Sequence, residues 1–99
     1  MTRPKLVIVE WLDSSSPIPE WRHLDNPPAA RVILCLSVGW LLHDSDGVLM
    51  LAPNLGDIND QINAQASGFM RIPQSSIIRS IELRDPTEPP AAGTPGSES

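Results

Sequence analysis

Residues 31–43, Arg-Val-Ile-Leu-Cys-Leu-Ser-Val-Gly-Trp-Leu-Leu-His, form one nearly continuous apolar run broken by a glycine. The even positions are Val32, Leu34, Leu36, Val38, Trp40 and Leu42; the odd ones are Ile33, Cys35, Ser37, Gly39, Leu41 and His43. Side chains alternate across a strand, so one face is wholly apolar and the other is apolar for much of its length. A small antiparallel sheet ordinarily keeps one face wet. Here both faces require cover, from residues 12–30 of the same chain or from a second copy. The intervening segment is rich in proline and poor in large apolar side chains, which favours self-association as a homodimer or ring.

A chain of 99 residues makes one domain. From Arg84 onward it reads Arg-Asp-Pro-Thr-Glu-Pro-Pro-Ala-Ala-Gly-Thr-Pro-Gly-Ser-Glu-Ser and offers nothing larger than alanine for a core. Such a segment cannot recover its ordering entropy. The expected division is therefore a β domain over residues 1–83 and a disordered tail over 84–99. At that size a single core is marginally stable, and oligomerisation is one usual remedy. Cys35 is the only cysteine, so no disulfide forms within the chain, and its place in the apolar run marks it as a small core residue. The opening Met-Thr-Arg-Pro-Lys leads straight into a β-type run, so no signal peptide is expected. The longest apolar stretch falls short of the about 20 residues a membrane helix needs. These features imply a soluble protein of a reducing cytoplasm.

The net charge is −5. An acidic chain without a basic run is poorly suited to a long nucleic acid, which is held by counterion release. Small anions stay within reach, since two or three converging arginines suffice.

Turn and strand signals then order the chain. Leu6–Trp11 is a short β-branched strand ended by Asp13-Ser14-Ser15-Ser16-Pro17. Residues 18–30 read as an irregular excursion with one helical turn around Glu20–Leu24. The long strand over 31–43 bends at Gly39. Asp44-Ser45-Asp46-Gly47 is a hairpin connection, and Val48–Ala52 is the third strand, halted by Pro53. Residues 53–66 form a loop with a short helix over Ile58–Ala66. Gly68–Ile72 is the fourth strand, and after Pro73 come one 3₁₀ turn and a fifth strand ending at Leu83. Five short strands, one of them bent, predict a mainly β fold: a small, strongly bent barrel.

Ser37-Val38-Gly39-Trp40-Leu41-Leu42, the turn, Val48–Ala52, a variable loop, Phe69–Pro73 and Ile77–Leu83 together resemble the SH3-like or Sm-like barrel pattern. They also resemble small phage and prophage proteins with a similar valine-glycine-tryptophan-leucine strand and a late isoleucine-proline turn. The resemblance covers residues 31–83. RNA binding does not follow from it, because Arg71 is followed by Ile72 where an Sm protein has an arginine–glycine step, and fold analogy does not carry function.

No enzyme motif is present: no phosphate-cradling glycine loop, no zinc-ligand spacing, no nucleophile elbow. His23 and His43 each stand alone, and the carboxylates of Asp44 and Asp46 fit a hairpin better than a cation loop. Neither a cofactor nor a metal is expected. Three tryptophans with no tyrosine are less ordinary. Trp40 belongs to the core run, whereas Trp11 and Trp21 fit a structural role, a protein interface or a ligand site. A tryptophan beside an arginine can stack on a base while the guanidinium holds a phosphate.

The resemblance to phage proteins implies a non-enzymatic, anti-defence binding protein acting in the host cytoplasm. In one version a homo-oligomer sequesters a cyclic nucleotide or related signal at subunit interfaces, with Trp11 or Trp21 stacking and Arg22, Arg31, Arg71 and Arg79 contacting phosphate. In another, its acidic surface blocks a host defence protein directly. A third possibility is a small phage structural or assembly component.

Overall fold

The computed structural model describes residues 3–14 and 17–88. It is mainly β. Seven strands run in order: β1 (Leu6–Asp13), β2 (Ile33–Ser45), β3 (Val48–Ala52), β4 (Asn54–Gly56), β5 (Gln65–Ser67), β6 (Met70–Pro73) and β7 (Ile77–Leu83). A 3₁₀ turn over Gln74–Ser76 joins the last two. Five strands make one antiparallel sheet in the order β6-β3-β2-β1-β7, while β4 and β5 pair as a separate hairpin. The edge strands β6 and β7 are not paired with each other, so the sheet is curled but not closed.

Local chemistry sets these elements. Asp46 and Gly47 both take positive φ, 54° and 79°, which is the backbone that a tight β2–β3 hairpin requires. The turn is tied to the 3₁₀ segment: Gln74 N–H donates to Gly47 O at 2.9 Å, and Gln74 Nε2 donates to Asp44 Oδ1 at 2.6 Å. The bend expected at Gly39 has a steric cause. A Cβ there would sit 3.1 Å from Ala52 O and 3.3 Å from Leu51 Cβ, so a side chain would push the end of β3 back by a few tenths of an ångström. A register shift between Leu41 and His43 follows at once and adds curvature.

That curvature folds the inner face of the sheet onto itself. Val7 and Val9 of β1 meet Leu49 and Leu51 of β3 and Ile72 of β6, all buried, with Trp11, Leu41 and Ile77 packed against them. No other large apolar residues are fully buried among the described residues.

Two expected helical pieces are absent. Residues 20–24 form no helical turn; a hydrogen-bonded turn closes instead at Asn26 N–H to His23 O. Residues 58–66 are not a helix either. The Asp60 carboxylate accepts the N–H groups of Ile62 and Asn63 and the Asn63 side-chain amide, at 2.7–3.1 Å. Those bonds lower its pKa, the Asn63 side chain foremost. Capturing the amides of Ile62 and Asn63 allows one turn, closed by Ala64 N–H to Asp60 O, and then diverts the chain into β5.

Contacts of the domain continue past Leu83. Arg3 Nη1 donates to Asp85 Oδ2 at 2.8 Å and to Thr87 Oγ1 at 3.0 Å, tying the start of the described chain to its end. The remainder of the expected tail, residues 89–99, lies outside the described residues, as do Ser15 and Ser16.

Candidate interaction surface

In an antiparallel ladder, residues directly opposite share a face, so the register gives the composition of the outer surface. Across β7, β1 and β2 the rows are Leu83–Leu6–Trp40, Ile81–Ile8–Val38 and Arg79–Glu10–Leu36, followed by Leu12–Leu34. All but one of these rows are wholly apolar. The exception holds an ion pair, Arg79 Nε to Glu10 Oε1 at 2.8 Å. Leu34, Leu36 and Val38 are 58%, 66% and 53% exposed, and Leu12 and Ile81 are also exposed. The alternation of the sequence thus resolves into a buried inner face and an apolar outer face in water.

The chain's own early segment does not cover that face. Residues 17–27 are all exposed, and Trp21 and Leu24 are 99% and 100% exposed. Monomeric proteins rarely present contiguous apolar patches beyond a few hundred Å², and larger ones mark interaction sites.

The residues singled out for ligand contact occupy different surroundings. Trp11 lies half-buried against the core, and its indole N–H donates to Ser37 Oγ at 2.9 Å, so it is far less open to solvent than Trp21. Arg22 donates through Nε and Nη2 to Glu20 Oε1 at 3.0 and 2.8 Å. Arg79 is held by Glu10. Arg31 is exposed just before β2, and Arg71, opposite Met50, is exposed on the edge strand β6. Trp21, Arg22 and Arg31 share the projecting segment; Arg71 and Arg79 sit on the two opposite edges of the sheet.

A cleft of about 210 Å³ lies elsewhere, between Arg3 and Pro4, Leu42, and the β4–β5 hairpin with its connecting loop (Leu55, Ile58, Gln65). The sequence held no sign of it, because its walls come from segments joined only by the fold. The Asp85 carboxyl beside it is held down to about 2, chiefly by the Thr87 hydroxyl and then by Arg3. His43 is engaged locally, its Nε2 lying 3.0 Å from Ser45 O. No group of three or more histidine, cysteine or acidic side chains comes together among the described residues. No helix is long and apolar enough to cross a membrane.

Comparison with protein-family models, with curated proteins and with solved structures yields no match.

Proposed function

We propose that this is a non-enzymatic binding protein that works by occupancy and as a homo-oligomer, with the β1–β2–β7 outer face buried in the assembly. The observation that carries this reading is the exposure of Leu34, Leu36 and Val38 on a face that the chain's own segment leaves uncovered. The small inner core, which leaves each copy little stability of its own, supports it as well. Light scattering of the full chain at micromolar concentration tests it. The reading expects a mass above 10.8 kDa that falls to that value in a Leu36→Asp, Val38→Asp double variant. A wild-type mass of one chain contradicts it.

The strand order, the bent β2 and the 3₁₀ turn before β7 support reading the sheet as an opened SH3-like or Sm-like arrangement, with the β4–β5 hairpin inserted between its third and fourth strands.

One observation favours a second reading, a ligand held by a copy whose projecting segment is not packed on a neighbour. Trp21 presents its whole ring to solvent, beside Arg22 and on the same segment as Arg31, the combination that stacks a base and holds a phosphate. The corresponding ligand class is a cyclic or related signalling nucleotide. Calorimetry against cyclic di- and trinucleotides checks it: heat that disappears in Trp21→Ala supports the ligand, and no heat with any of them removes it.

A further inference from the structure

Strand β2 is paired by β1 over Ile33–Trp40, while on its other side β3 covers only Trp40–Ser45. Among the described residues, no strand lies against the remaining side of Ile33–Gly39. The hydrogen-bond pattern shows which backbone groups this leaves over. Leu41 N–H donates to Lys5 O at 2.7 Å, so the odd residues of β2 turn their N–H and C=O toward β1. Leu34, Leu36 and Val38 therefore turn theirs toward the open edge. The same residues carry the exposed apolar side chains.

Proteins that remain monomeric blunt such an edge with lysine, proline, an inward charge or a bulge. Ile33–Gly39 contains no charged residue and no proline, and the β2 bulge lies beyond it at Leu41–His43. A chain of net charge −5 thus keeps a neutral stretch where like charges would otherwise meet.

We propose that two copies join by antiparallel pairing of this edge with itself. The proposal rests on the self-association reading above and specifies how the copies meet. A twofold axis at Leu36 sets Leu36 opposite Leu36 of the second copy and Leu34 opposite Val38. Every outward N–H and C=O of the three residues then has a partner. Position along the edge gives the same centre. Pairing must stop at Gly39, because β3 occupies the edge from Trp40 onward, and Leu36 is the midpoint of Ile33–Gly39.

Area decides what else takes part. Seven residues at about 3.3 Å make a seam of roughly 23 Å, and with a sheet about 10 Å thick it covers on the order of 250 Å² per copy. A stable interface needs about 800 Å² per partner. The remainder comes from the projecting segment. Antiparallel pairing brings the start of β2 beside Gly39 and Trp40 of the second copy, where β3 blocks the edge and forces the incoming chain off it. The segment ending at Arg31 is thereby directed onto the neighbour's outer face, where Trp21 and Leu24 find the cover they lack at home. A buried tryptophan alone contributes about 150–250 Å².

Amide hydrogen exchange on the full chain, read residue by residue at a concentration where light scattering reports the mass, tests the pairing. The expected result is a dimer in which the amides of Leu34, Leu36 and Val38 exchange about a hundredfold more slowly than in a diluted, monomeric sample. A dimer in which these three amides exchange as fast as in the monomer overturns edge pairing and leaves self-association through the outer face standing. A single-chain mass at all concentrations overturns both. Trp21→Ala should weaken the dimer about tenfold while leaving the three amides slow once it forms. An unchanged dissociation constant removes the projecting segment from the interface.

Discussion

The two halves of β2 meet different fates. From Trp40 to Ser45 the strand pairs with β3, which carries it into the body of the sheet, and its inner face reaches the core through Leu41. From Ile33 to Gly39 it has β1 alone, with leucines and a valine in water. The open half is the more apolar of the two, since His43, Asp44 and Ser45 fall in the other. The end of β3 divides them, at the glycine whose missing Cβ admits it. A strand that runs past its neighbour holds the fold with one half and offers the other as a surface.

This contrast breaks most readily in the core that β3 and β6 build beside the half paired with β3. Ile72→Ala removes a fully buried side chain from a very small core and should cost about 2–5 kcal/mol, enough to unfold much of the population in a urea titration. The same truncation at Leu36 should leave the urea midpoint of the monomer nearly unchanged, because that side chain touches mostly water. Gly39→Val strikes the boundary between the halves. Its Cβ meets backbone at Ala52, so it should cost about 1–3 kcal/mol and flatten the bend, seen as a lowered melting temperature.

Trp11→Phe sharpens the comparison within the open half. The indole N–H bond to Ser37 is one of the few side-chain ties there, and its loss should cost about 1 kcal/mol by the same titration. The smallest expected effect lies at the far end of the molecule. The Asp85 carboxyl is depressed to about 2 in the folded chain, against 3.8 ordinarily. The unfolded chain thus takes up this proton first as pH falls, so the contribution is complete above about pH 4 and is lost as pH drops through about 2. Asp85→Asn should lower stability slightly at neutral pH, and the difference from the wild type should disappear as pH falls through that window.

Where local pattern decides structure, the sequence is legible. Val48–Ala52 and the strand ending at Leu83 fall where residue types and prolines place them, and the alternation along β2 sorts its faces correctly. The β4–β5 hairpin is not legible, because Asn54-Leu55-Gly56 and Gln65-Ala66-Ser67 are too short and polar for any periodicity. The apparent helix over 58–66 fails because one carboxylate, Asp60, competes for the amides the helix would need. Of the interaction surface, its side chains can be read in advance but its open edge cannot, since how far β3 runs along β2 is a property of topology. The tie between Arg3 and Asp85, 82 positions apart, is likewise invisible before the chain is folded.

Sedimentation equilibrium of the wild-type chain beside Leu36→Lys, at micromolar concentration and neutral pH, bears most directly on the central claim that the half of β2 beyond the reach of β3 is where copies meet. The account predicts a wild-type mass twice 10.8 kDa and a variant that sediments as a single folded chain. A wild-type protein that sediments as one chain, or a variant that associates as strongly as the wild type, would contradict it.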